Sequence, residues 1–115
     1  MATFEYTRAN ITLEAYGKEY PIPTKTADFI NSINDIQTQL AACKTATETV
    51  EITRKGIALF IGDEETERIF PADCIGDIDT DEIAAFWWAL NAESNRATQA
   101  VIEKYAPNPV IRKAK

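Results

Sequence analysis

"ITLEAYGKEYPI", residues 11–22, decides the fold class. Ile11, Leu13 and Ala15 alternate with Thr12, Glu14 and Tyr16; Gly17 and Lys18 interrupt, and apolar side chains return at Tyr20 and Ile22. A period of two on both sides of a glycine-bearing turn reads as a β-hairpin with one apolar face. With Gly17 at the first central position of a type II′ turn, Tyr16 pairs with Glu19, Ala15 with Tyr20 and Leu13 with Ile22. A lone hairpin is marginal in water, so this face requires helices against it. "TFEYT", residues 3–7, offers Phe4 and Tyr6 as a third strand.

Helical periodicity supplies those helices downstream. Pro21 and Pro23 end the hairpin, and Thr24 or Thr26 can cap a helix whose first turn holds Asp28, where a carboxylate favours the free amides. This helix runs to about Thr45. Its stripe of Phe29, Ile33, Ile36, Leu40 and Cys43 reads as an intramolecular core face, with Cys43 as a small buried apolar residue. "TATETVEITRKGIALFIGDEE", residues 45–65, is a second helix with Thr47 as cap, Val50, Ile57 and Ile61 on one face, and Gly62 at its end. Gly56 weakens that helix by about 1 kcal/mol relative to Ala, which is explicable if another element must approach closely there. A short acidic helix from Glu64 to about Ile69 stops at Pro71, with Ile69 and Phe70 directed into the core.

After an irregular acidic connection, "ADCIGDIDTDE" at residues 72–82, Asp79 or Thr80 caps the longest helix. Ile83, Phe86, Trp87, Leu90, Ala97, Val101 and Tyr105 follow the 3.6-residue period. Neighbours on a helix point about 100° apart, so Trp88 is displaced from the stripe that holds Trp87 and lies beside Ala84, Asn91 and Asn95. Trp88 is the candidate for a partner-facing aromatic. The expected fold is α+β: an N-terminal antiparallel β-hairpin of two or three strands packed on a bundle of three to four α-helices. Residues 1–106 form its single domain, and 107–115 form a basic tail.

The 115 residues are 45% hydrophobic and 10% aromatic, enough for one core without staples. No apolar run approaches the roughly 18 residues of a membrane span, and "MATFEYTRAN" lacks the basic-then-apolar layout of a signal peptide, so a cytoplasmic protein is expected. Cys43 and Cys74 form no CxxC, there is no histidine, and free thiols are expected. The net charge of −6 argues against nucleic acid as a partner. Charge is uneven: residues 1–62, 63–93 and 94–115 carry −1, −9 and +4, a central acidic belt that is either a solvated surface or a steering field for a basic partner.

Catalytic chemistry has few carriers here. Without histidine the usual serine and cysteine triads are unavailable, and neither phosphate-binding glycine loop occurs. Asp77, Asp79 and Asp81 imitate the start of a calcium loop, but Glu82 occupies the glycine position and Trp88 the place of the bidentate Glu. No catalytic residue, metal site or cofactor is expected, and the protein is read as a non-enzyme.

The segments "YGKEYPIP" (16–23), "TADFI" (26–30), "KGIALFIGDEETERIFP" (55–71), "DEIAAFWWAL" (81–90) and "KYAP" (104–107) resemble small phage or prophage tail-region proteins. More specifically, they resemble the tail assembly chaperones of long-tailed phages. The resemblance implies a non-enzymatic domain in the cytoplasm of the bacterial host that binds the tape measure protein during tail morphogenesis. It further implies that some relatives exist as short and frameshifted long forms. Phe60, Ile61, Phe70 and Trp88 form the expected partner-binding set, with the acidic belt steering basic segments of the partner. The alternatives are a structural minor tail or connector component, which would form a homo-oligomer, and a small protein-binding adaptor or regulator.

Overall fold

The computed structural model describes residues 2–106, and the expected basic tail at 107–115 lies outside the described residues. Strands β1 (Thr12–Ala15) and β2 (Lys18–Pro21) form an antiparallel hairpin. Among the described residues four α-helices follow: α1 (Ala27–Ala42), α2 (Ala46–Ile61), α3 (Asp63–Ile69) and α4 (Thr80–Tyr105). A 3₁₀ segment at Ala72–Asp77 links α3 to α4. The fold is α+β, a two-stranded hairpin on a helical bundle. Among the described residues no helix is long and apolar enough to cross a membrane.

The hairpin keeps its expected faces but not its expected register. Leu13 pairs with Tyr20 and Ala15 with Lys18, so the strands are slid by two residues relative to a Gly17–Lys18 turn. A two-residue slide preserves which side chains face inward. The turn is centred on Tyr16 and Gly17, both with positive φ (53° and 80°), the requirement of a type I′ turn. A left-handed tyrosine costs about 1–2 kcal/mol. Its tertiary contacts outweigh that cost: the ring stands edge-on to Phe86 at 5.2 Å and Phe70 at 5.9 Å, and its hydroxyl donates to Glu82 Oε2 at 2.8 Å. Burial and the Glu82 carboxylate push the Tyr16 hydroxyl up to about 12.

Residues 3–7 form no third strand. They lie outside any ladder against the end of α4, where the Phe4 and Tyr6 rings lean on Tyr105 at 5.6 and 5.7 Å and remain largely exposed. Thr7 N–H donates to the Tyr105 hydroxyl at 2.9 Å, and that hydroxyl donates to Glu5 O. An anchored main chain satisfied in this way has no need of a ladder.

Helix ends follow local chemistry. Thr26 accepts from Phe29 N–H and starts α1, which ends at Ala42 rather than near Thr45 because Thr45 is already committed to the next helix. There its hydroxyl accepts from Glu48 N–H while Glu48 Oε1 accepts from Thr45 N–H, a full capping box; the cap is Thr45, not Thr47. Cys43 therefore sits just beyond α1, half-buried, with its thiol donating to Gln39 O, rather than inside the core. Gly62 separates α2 from α3 at φ 91°, a conformation that favours glycine. Asp79 caps α4 by accepting from the N–H groups of Asp81 and Glu82.

α2 is the central helix, and α1 and α4 both pack on it. Ile57, Ile83 and Leu90 are fully enclosed, and Tyr20, Ile22, Ile36, Val50, Phe60, Phe70, Phe86 and Trp87 complete one core. The hairpin is held to α3 by a polar cluster: Glu65 accepts from Lys18 Nζ, the Tyr20 hydroxyl and the Arg68 guanidinium at 2.7 to 3.0 Å. These donors, Lys18 first, hold the Glu65 carboxyl down at about 2.

Candidate functional site

Gly56 sets the geometry of the bundle's open side. A Cβ there would lie 2.5 Å from Trp87 Cζ3 and 3.0 Å from Ile36 Cγ2, so α1 and α4 meet over this glycine. Ile33, Ile30 and Phe29 lie toward the N-terminus of α1 from that point, whereas Asn91, Ser94 and Asn95 lie toward the C-terminus of α4. The two helices thus run in opposite directions away from it and frame a groove of about 240 Å³ floored by Phe60, one turn beyond Gly56 on α2. At the far end Lys25 Nζ donates to Thr98 Oγ1 and bridges the two sides. Partial burial pushes the Lys25 ammonium below its ordinary value.

The two walls differ in chemistry. The α1 wall is apolar through Phe29, Ile30 and Ile33, with Asn34 at its rim, and Ile30 is 44% exposed. The α4 wall is polar: Asn91, Ser94 and Asn95 present amides and a hydroxyl. Asn91 Nδ2 donates to Trp87 O at 2.8 Å, which fixes that side chain and leaves its carbonyl oxygen able to accept. Trp88, three residues before Asn91 and seven before Asn95, shares their helix face and is 67% exposed. Among the described residues Lys25 is the single ionisable side chain lining the groove, so the site offers apolar surface and neutral hydrogen bonds rather than an acid–base pair.

The four residues expected to contact a partner separate. Trp88 is exposed as expected, and Phe60 lines the groove although only 7% of it is accessible. Phe60 is held edge-on between Phe29 at 5.3 Å and Trp87 at 6.0 Å. Ile61 is half-buried against the core, and Phe70 is enclosed beneath Tyr16 and Phe86 on the hairpin side. A partner reaching Phe70 would have to open the hairpin. Of the residues lining the groove only Phe60 was in the set; among those missed, Ile30 was detectable as an isoleucine displaced by one position from the Phe29 stripe.

The acidic belt is partly structural. Glu65 holds the hairpin, Glu67 pairs with Arg54 at 3.0 Å and accepts from Ala72 N–H, Asp79 caps α4 and Glu82 receives Tyr16. Asp63, Glu64, Asp73, Asp77 and Asp81 are exposed, and among the described residues no ion pair reaches them. Comparisons with family models, curated proteins and solved structures return no match to this chain.

Proposed function

We propose that this chain is a non-enzymatic tail assembly chaperone of a long-tailed phage, working in the host cytoplasm, and that it binds a helical segment of the tape measure protein. The observation that carries the reading is Trp88, a two-thirds exposed tryptophan on the same α4 face as the amide wall of an apolar groove. Exposed aromatic anchors dominate binding energy at protein interfaces. The groove's volume is below the roughly 300 Å³ where sites for drug-sized ligands begin, and it suits a few side chains projecting from a partner helix. Such a helix would lay apolar side chains on Ile30 and Ile33, offer polar groups to Asn91 and Asn95, and cover Trp88. The five unpaired carboxylates of the belt would raise the encounter rate with basic segments of the partner.

The test is co-expression with the tape measure protein, recovery of the pair through a tag on either chain, and repetition with Trp88→Ala and Ile30→Asp. Truncating a central tryptophan anchor removes about 2 kcal/mol or more, near a 30-fold loss of affinity. The expected result is a complex with the original chain that is lost with either variant while far-UV circular dichroism is unchanged. Absence of any complex, with the free protein assembling into rings, would replace the chaperone by a structural tail component.

A further inference from the structure

The two outer edges of the hairpin are chemically unequal. Ile22 N–H donates to Ile11 O at 2.9 Å, so Ile11 and Ile22 are a hydrogen-bonded pair. By the alternation of an antiparallel ladder, Leu13 with Tyr20 and Ala15 with Lys18 are hydrogen-bonded pairs too. The main-chain groups of Thr12, Glu14, Glu19 and Pro21 therefore point away from the partner strand. On the β2 edge Pro21 has no N–H to present, and Pro23 follows two residues later, an arrangement that blocks further pairing. On the β1 edge Thr12 and Glu14 keep both N–H and C=O. Both residues are exposed, and among the described residues no hydrogen bond reaches those outward groups.

The outer face of the same hairpin carries an unresolved electrostatic conflict. Glu14 stands directly opposite Glu19, in the closer, non-hydrogen-bonded kind of pair, and like charges so placed are destabilising. No base relieves them from within the hairpin: Lys18 faces the other side, where it pairs with Glu65 at 2.9 Å. A third strand on β1 would place its own side chain beside Glu14 on this face.

We propose that the β1 edge accepts an extended strand of a partner protein carrying Lys or Arg on the face that meets Glu14 and Glu19. Main-chain hydrogen bonds to Thr12 and Glu14 supply the pairing, and the basic side chains compensate the two carboxylates, which makes the edge selective for a basic strand. A second copy of this chain fits poorly. Its own β1 edge would bring another Glu14 and no base. The surface is distinct from the groove, since the hairpin packs on α3 and the start of α4, whereas the groove lies between α1 and the middle of α4.

The test uses the full chain, isotopically labelled for amide hydrogen exchange by NMR, with the peptide acetyl-TVKVKVT-amide and its counterpart acetyl-TVEVEVT-amide. At 1 mM peptide and a dissociation constant of about 0.5 mM, exchange at Thr12 and Glu14 slows roughly threefold with the lysine peptide, the factor 1 + [L]/Kd. It is unchanged with the glutamate peptide, and the effect fades with added salt. Thr12→Pro abolishes the slowing, because it removes an outward N–H that no ladder bond uses. Should that variant fail to fold, Glu14→Lys serves instead and shifts preference toward the glutamate peptide. Equal slowing by both peptides, no slowing by either, or slowing in the free protein that grows with its own concentration would each overturn the proposal; the last would assign the edge to a second copy.

Discussion

Gly56→Ala is the sharpest perturbation of the bundle. The added methyl carbon lies 2.5 and 2.7 Å from Trp87 Cζ3 and Cη2 and 3.0 Å from Ile36 Cγ2, where carbon atoms prefer about 3.5–4.0 Å. The ring cannot swing aside, because Trp87 is 4% exposed and stands edge-on to Phe60 at 6.0 Å. Alanine is the better helix former by about 1 kcal/mol, while overpacking a tight core costs about 1–3 kcal/mol. With three contacts this close, the steric cost falls at the upper end, leaving a net loss of about 2 kcal/mol. That corresponds to a fall of about 8 °C in Tm for a domain of this size. Urea unfolding followed by circular dichroism should show the midpoint falling by about 1 M with an unchanged slope. Trp87→Phe removes the two crowded ring atoms, so in that background Gly56→Ala should be neutral or stabilising, giving a coupling of about 2 kcal/mol. A Gly56→Ala protein as stable as the original, or additive effects in the double variant, would refute close approach as the reason for glycine.

Two further expectations concern single contacts. Because Glu65 titrates at about 2 when folded against an ordinary 4.5, its contribution is fully present above pH 4.5 and is lost as pH falls from there toward 2. The urea midpoint measured from pH 5 to pH 2 should therefore decline less steeply for Glu65→Gln, and identical declines would contradict the cluster's role. Thr45→Ala should cost about 1 kcal/mol through loss of the capping box, whereas Thr47→Ala should change stability by less than about 0.5 kcal/mol; equal losses in urea unfolding would assign the cap wrongly.

Periodicity recovers faces and leaves register open, as the hairpin demonstrates. Alternation places Ile11, Leu13 and Ala15 on the inner side, and any slide by two residues leaves them there. The turn decides the register. Local economy favours a single positive φ on Gly17, but edge-on packing of the Tyr16 ring against Phe70 and Phe86 selects a turn with two. The same limit explains residues 3–7, whose aromatic alternation reads as a strand although Tyr105 at the far end of the chain provides a competing anchor. In α4 the angular argument suffices, because an unbroken helix fixes the relation of Trp87 to Trp88: one is in the core and the other is two-thirds exposed.

The groove was less legible because no single element contains it. Ile30, Phe60 and Asn91 come from three helices, and their proximity depends on α1 and α4 both packing on α2, with Ile36 and Trp87 close over Gly56. Asparagines on an exposed helix face look like ordinary solvation until an apolar wall stands opposite them. Conversely, Phe60 and Phe70 have the composition of contact residues, but helical position alone cannot distinguish a ring that widens the core from one that faces a partner. Gly56 is the exception, because a glycine inside a helix carries a cost that some close packing must offset. Its presence between Lys55 and Ile57 is thus a sequence signal of a close approach, which ties the stability of the Gly56→Ala variant to the shape of the proposed binding surface. If alanine forces α1 and α4 apart, the groove widens around Phe60, and the variant should lose partner affinity even under conditions where it remains fully folded.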